Sequence, residues 1–447
     1  MAIVTLRSPL RELAGGEREL RLEAPTVGEL LRGLEVDHPR IAGWILDERG
    51  AIRHHVCVFV NGEQRDVDAA ISDDDRVHVL PSISGGADPH RDGRAELLVG
   101  TRKGLFVLRG TRGGPMEPVH RAFPGEVVEF AMRDPGSGMY LAGVTHGQFG
   151  PRVFLASDPV AEWQQASGPA FPEDTDATVE RVWVVQPGVE DGVLWAGVDP
   201  AALFRSEDGG RTWSLVRGLW DVPTRPEWNP GAGGLALHSI CPWPGDPDRL
   251  AVGISAAGVW ITEDGGAGWR TGYEGLVAEY LPEEAREGTH ALCVHNMHRA
   301  QGKPERLFMQ FHGSVYRSDD EGSSWLDVAE GLPSGFGFPL VVHPSEPDHA
   351  FVIPLSGAED RVTPEGRVRV YETRDGGSSW EARERGLPQR DAYLTILRQA
   401  FCHDEGDPLG LYFGATSGEV FGSVDGGLSW FTAAERLAPV TSVRAAR

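Results

Sequence analysis

One pattern, S/T-x-D-x-G-x-x-W, occurs five times between residues 206 and 430 of this 447-residue chain. The copies are Ser206-Asp208-Gly210-Trp213, Thr262-Asp264-Gly266-Trp269, Ser318-Asp320-Gly322-Trp325, Thr373-Asp375-Gly377-Trp380 and Ser423-Asp425-Gly427-Trp430. Ser157, Asp158 and Trp163 form a decayed sixth that keeps the phase, successive tryptophans being 50, 56, 56, 55 and 50 residues apart. A period of this size holds one small sheet, which buries its faces only against neighbouring repeats. An apolar strand precedes each box, as in Leu194-Trp-Ala-Gly-Val and Leu307-Phe-Met-Gln-Phe, and Leu97-Leu-Val-Gly-Thr101 supplies a seventh unit without a box. That first unit lacks an upstream strand while the chain ends with a spare one, Pro439–Arg444, so the last strand is expected to complete the first sheet and remove an open edge.

The reading is an all-β, seven-bladed β-propeller over residues 95–447, closed by the C-terminal strand. With 58 Gly, 32 Pro and 13 Trp, the composition suits short strands and many turns. The box aspartates Asp208, Asp264, Asp320, Asp375 and Asp425 are expected to accept turn amides between third and fourth strands, a structural role. The repeats resemble Asp-box (BNR-repeat, sialidase-like) propellers. The arginine triad, the Phe-Arg-Ile-Pro segment and the Tyr/Glu nucleophile pair of sialidases are not recognisable, which argues against sialidase activity.

Residues 1–86 have a different pattern. Val4 and Leu6, then Leu20 and Leu22, alternate with polar residues as a hairpin would. Thr26 and Glu29 form a capping box ahead of Val27, Leu30, Leu31 and Leu34 at helical spacing. A strand over 55–60 meets the Asn61-Gly62 turn, and Asp73-Asp74-Asp75 leads into Val77 and Val79. The order is that of a small α+β, ubiquitin-like β-grasp. VFVNGE at 58–63, the acidic turn and LPSISGG at 80–86 resemble the molybdopterin-synthase small subunit and thiamin sulfur-carrier family. The resemblance implies a tail, Gly85-Gly86, whose carboxylate is adenylated by an activating enzyme and converted to a thiocarboxylate or joined to an amine. Glycines suit a bare tail that must thread a narrow channel. Here Ala87 follows, so a free carboxylate requires a processing peptidase; otherwise residues 87–94 are simply a linker and the pair a joint.

A net charge of −24 opposes binding to nucleic acid or anionic membranes. Four scattered cysteines, Cys57, Cys241, Cys293 and Cys402, read as reduced thiols, and neither a signal peptide nor an apolar span is evident, so a cytoplasmic location is expected.

Aligning the inner strands on their Pro-containing turns puts Glu129, Arg181 and His238 in equivalent positions facing the central channel. His290, His312 and Tyr393 join the same mouth, a candidate site for a small anionic or sugar-like ligand. His238, His290 and His312 match no short metal-ligand spacing, so neither metal nor cofactor is expected. His295 and His298 read as satisfied strand-end residues, and Cys241 and Cys293 as small core residues. With no catalytic residue assigned, the leading reading is a sulfur carrier or modifier fused to a propeller binding or scaffold module. The alternative is a glycoside hydrolase or lyase at the propeller mouth with the β-grasp region as docking appendage, a reading that has only Glu180 or Glu359 as a loose second carboxylate beside Glu129.

Overall fold

The computed structural model describes residues 1–6, 10–15, 19–41, 44–47, 49–53, 56–81, 93–231, 233–286 and 292–446. The Gly85-Gly86 tail and His290 lie outside them. Strands β1 (Ala2–Leu6), β2 (Glu19–Leu22), β3 (Val56–Val60), β4 (Glu63–Gln64) and β5 (Arg76–Pro81) form one sheet in the order β2-β1-β5-β3-β4, with β1 and β5 parallel. Helix α1 (Val27–Asp37) starts where the capping box indicated, Thr26 Oγ1 accepting the Glu29 amide at 3.3 Å. Its Val27, Leu30, Leu31 and Leu34 are buried together with Val4, Leu6, Val77 and Val79. Asn61 and Gly62 turn the chain with φ of 52° and 84°. This is the β-grasp arrangement.

Seven four-stranded antiparallel sheets follow among the described residues. Their inner strands are Val440–Ala445, Val127–Arg133, Arg181–Pro187, Leu237–Trp243, Val294–Arg299, Gly337–Val342 and Phe401–His403, numbered here as sheets one to seven. In sheet one the C-terminal strand pairs with Arg94–Thr101, Val443 opposite Val99. Each inner strand packs beside that of the next sheet, and Phe401–His403 packs beside Val440–Ala445. The core lies between these sheets, each interface filled by side chains such as Phe308, Phe351, Tyr412 and Phe413.

The five boxes occupy the turns from third to fourth strand. In one, Ser206 Oγ donates to Asp208 Oδ1 at 2.9 Å and accepts the Gly210 amide at 2.9 Å, while Asp208 Oδ1 accepts the amides of Arg211 and Thr212. Hydrogen bonds of the same kind hold the Asp264 carboxyl below the usual range, chiefly the Gly268 amide, and the Asp375 carboxyl, chiefly the Ser379 hydroxyl. These carboxylates are spent on turn geometry.

The β-grasp region is docked against sheet four. Alternation along β3 sends Val56, Val58 and Val60 into their own core and Phe59 to the other face, where it is also fully buried. Gly245, with φ 79°, lies against Phe59 so closely that a Cβ there would be 3.1 Å from the Phe59 Cβ. Trp243 Nε1 donates to the Gly62 carbonyl at 2.9 Å, with the Arg249 guanidinium 3.7 Å above the indole. Arg11 pairs with Asp191 at 2.5 Å. No helix among the described residues is long and apolar enough to cross a membrane.

Candidate ligand-binding site

Six of the seven inner strands shift register at the same point. The residues passed over are Glu129, Trp183, His238, His295, Phe338 with Pro339, and Thr441. A bulge breaks the two-residue alternation and re-aims a side chain, a device common beside functional sites. The equivalent of Glu129 and His238 in sheet three is therefore Trp183, not Arg181, which stands two residues earlier. Alternation alone cannot reveal this, because the extra residue has no counterpart on the partner strand.

Arg181 nevertheless reaches Glu129, Nε lying 3.1 Å from Oε1, and stacks 4.7 Å from the Trp183 ring centroid. Arg398 lies 5.3 Å from that same centroid. Thr145 Oγ1 donates to Glu129 Oε1 at 3.3 Å. Burial raises the Glu129 pKa, and Arg181 works against the rise. Burial also raises Asp199, again opposed by Arg181. Two carboxyls held towards their neutral forms thus share one guanidinium.

The histidines divide. His238 is buried, with Nδ1 3.1 Å from Ser239 Oγ and Nε2 donating to the Val294 carbonyl at 2.9 Å. Burial, with Arg398, holds its pKa well below the ordinary value, and both ring nitrogens are engaged, one by Ser239 and the other by Val294. His312 is half-buried with its ring 4.1 Å from Tyr280 and 5.0 Å from His295, and burial and Arg361 lower its pKa. Tyr393 is 64% exposed and lies against Gly366 in the connection between sheets six and seven. Arg361, Phe338, Trp183, Asp199 and Arg398 were not singled out from sequence. Three sit on bulges or connections that periodicity does not resolve, and Arg398 precedes a strand of only three residues.

A family model described as the ThiS family matches residues 4–86. Over 65 residues the chain is 35% identical to small archaeal modifier protein 3 of Haloferax volcanii, a match taking in 14% of this chain and 70% of that protein. Through this first region the chain belongs to the ThiS family. The ThiS region is also 28% identical over 89 residues to the sulfur carrier protein CysO of Mycobacterium tuberculosis, covering 19% of this chain and 96% of the carrier. Separately, 216 residues are 23% identical to an oligoxyloglucan-reducing end-specific xyloglucanase of Emericella nidulans, 42% of this chain but only 25% of the enzyme. The chain therefore spans about a quarter of that relative's length. The ThiS region is thus fused to a propeller-like region of four-stranded sheets that is similar to part of a xyloglucanase and not specifically to sialidases.

Proposed function

We propose that the chain is a sulfur-carrier precursor, residues 1–86 being the carrier, 87–94 the linker and 95–447 a closed seven-bladed propeller that serves as its binding and scaffold module. The observation that carries this reading is the extent of the ThiS match, which stops on Gly86 while the chain continues for 361 residues. A peptidase that cuts after Gly86 frees the carboxylate, and an activating enzyme adenylates it and replaces one oxygen by sulfur. The carrier core is drawn from residues 2–79, so the region has the means to fold by itself. The ring of inner-strand contacts, and the pairing of Val440–Ala445 with Arg94–Thr101, support closure. The acidic charge and the free thiols of Cys241 and Cys293 suit a cytoplasmic setting.

The fragment 1–86, incubated with a ThiS-type activating enzyme, ATP and a sulfur donor, is expected to gain the mass of sulfur in place of oxygen. Absence of any adenylate or thiocarboxylate across several such enzymes would sink the carrier reading.

A second reading, hydrolysis or lysis of a glycoside at the propeller mouth, is supported by the Glu129 and Asp199 carboxyls around Arg181. Acid-assisted glycoside cleavage needs one carboxyl protonated and one ionised; burial raises both here, so either could serve as the acid and Arg181 would have to keep the other ionised. On that reading the β-grasp region is a docking appendage.

A further inference from the structure

Cys293, His295 and His312 come from the first two strands of sheet five and the residues flanking them, with the His312 amide bonded to the Cys293 carbonyl at 3.1 Å. One donor atom of each lies within 4.8 Å of the others. His295 Nδ1–H donates to the Gly337 carbonyl at 2.6 Å, which fixes the tautomer and leaves the Nε2 lone pair free for a ligand. His312 Nδ1 is shielded from solvent and has no hydrogen-bond partner. An orphaned buried nitrogen of this kind costs about 1–3 kcal/mol, a loss that a bound ion would recover. Aromatic neighbours, Tyr280 beside His312 and Phe338 4.7 Å from His295, favour neutral imidazoles, the form that binds metal.

We propose that Cys293 Sγ, His295 Nε2 and His312 Nδ1 bind a borderline divalent transition-metal ion of the zinc class, leaving a fourth position open. One thiolate with two imidazoles suits zinc and excludes magnesium and calcium, which take oxygen ligands. Zinc bonds of about 2.0–2.3 Å set neighbouring ligand atoms about 3.3–3.8 Å apart, so the side chains close by at most about 1.5 Å on binding. The Cys293 S–H bond breaks as the metal–sulfur bond forms, and the proton leaves to solvent. Burial pushes the Cys293 thiol up, and Arg398, the Ala256 backbone and Arg361 only partly oppose the rise, so the ion itself must displace the thiol proton; the two guanidiniums, 5.0 and 5.7 Å from the Phe338 centroid, oppose the ion, and the thiolate charge offsets them. They also place positive charge near the open position, where an anionic ligand would bind. Among the described residues a second cluster, His343, Glu346 and His349, has its nitrogens engaged within the protein: His343 Nδ1 accepts the amides of Ser345 and Glu346, His349 Nδ1 lies 3.1 Å from the Glu346 carboxylate, and His349 Nε2 lies 2.7 Å from the Glu372 carboxylate.

The test uses the full chain, stripped with chelator and titrated with Co²⁺, then Zn²⁺. One equivalent of cobalt is expected to give a sulfur-to-cobalt charge-transfer band that zinc abolishes. Cys293→Ser should remove the band, and His312→Gln should weaken binding at least about tenfold, both with an unchanged circular dichroism spectrum. His343→Gln and Cys241→Ser should leave the titration unchanged. No thiolate band in the wild type, an undiminished band in Cys293→Ser, or a loss confined to His343→Gln would each overturn the site.

Discussion

In the full chain, Gly245→Val is expected to release the β-grasp region from the propeller without unfolding either. Two effects act together. A φ of 79° is strained for a β-branched residue, and the new Cβ would stand 3.1 Å from Phe59, against a side chain that is fully buried and cannot withdraw. Separation exposes the Phe59 ring, whose burial is worth about 1.5–3 kcal/mol. It also breaks the bond from Trp243 to the Gly62 carbonyl. Because 1.4 kcal/mol is a factor of ten, the docked-to-undocked ratio should fall roughly ten- to a hundredfold. Small-angle scattering should show a larger radius of gyration, and the amides of β3 should exchange faster. Unchanged scattering and unchanged protection would mean that the turn at Trp243–Gly245 does not hold the carrier.

Opposite effects are expected from the two partners of the channel ion pair. Glu129 is mostly buried and its pKa is raised by burial, so its ionised form is disfavoured in the folded state. For a raised carboxyl, the stability contribution is fully present below the unfolded pKa and is lost as pH rises through the folded pKa. Glu129→Gln removes that loss, and should therefore stabilise the protein at neutral pH and leave it unchanged near pH 4. Arg181→Gln removes the charge that opposes the rise. It should destabilise the protein at pH 7 by about 1–3 kcal/mol, less than the roughly 3–5 kcal/mol for orphaning a fully buried charge, since Arg181 is 40% exposed. The deficit should shrink as pH falls and Glu129 takes a proton. Thermal melts from pH 4 to 8 read both signs. If Glu129→Gln destabilises at every pH, Glu129 is a structural hydrogen-bonding residue and the glycosidase alternative loses its acid. A stabilising Glu129→Gln that also abolishes turnover of an aryl glycoside would favour that alternative.

The sequence makes some layers of this molecule legible because their signals are local. The Thr26 cap, the helical spacing of Leu30, Leu31 and Leu34, the Asn61-Gly62 turn and the box turns are all written within a few residues of where they act. The spare strand at the C-terminus was legible from counting, since the first repeat lacked one. The channel was much less so. Glu129 was identified by alignment, and Arg181 reached it despite being misaligned, because its long side chain spans the two-residue offset that the Trp183 bulge creates. The bulge places His238 against sheet five, where the Val294 carbonyl accepts a hydrogen bond from its Nε2. Cys293 and His295 read as ordinary strand residues, since their approach to His312 depends on a pairing between strands that no short spacing encodes. The docking of Phe59 was equally hidden: in a strand with both faces buried, an apolar residue carries no mark of which neighbour covers it.

The central claim is that this chain is a carrier precursor, and the intact mass of the protein from its native host, isolated under protease inhibition without reductant, tests it most directly. A fragment ending at Gly86, part of it carrying sulfur in place of one carboxylate oxygen, is the predicted result. A single uncut 447-residue species at every stage of growth would contradict it, and would leave Gly85-Gly86 as a joint between two permanently linked regions.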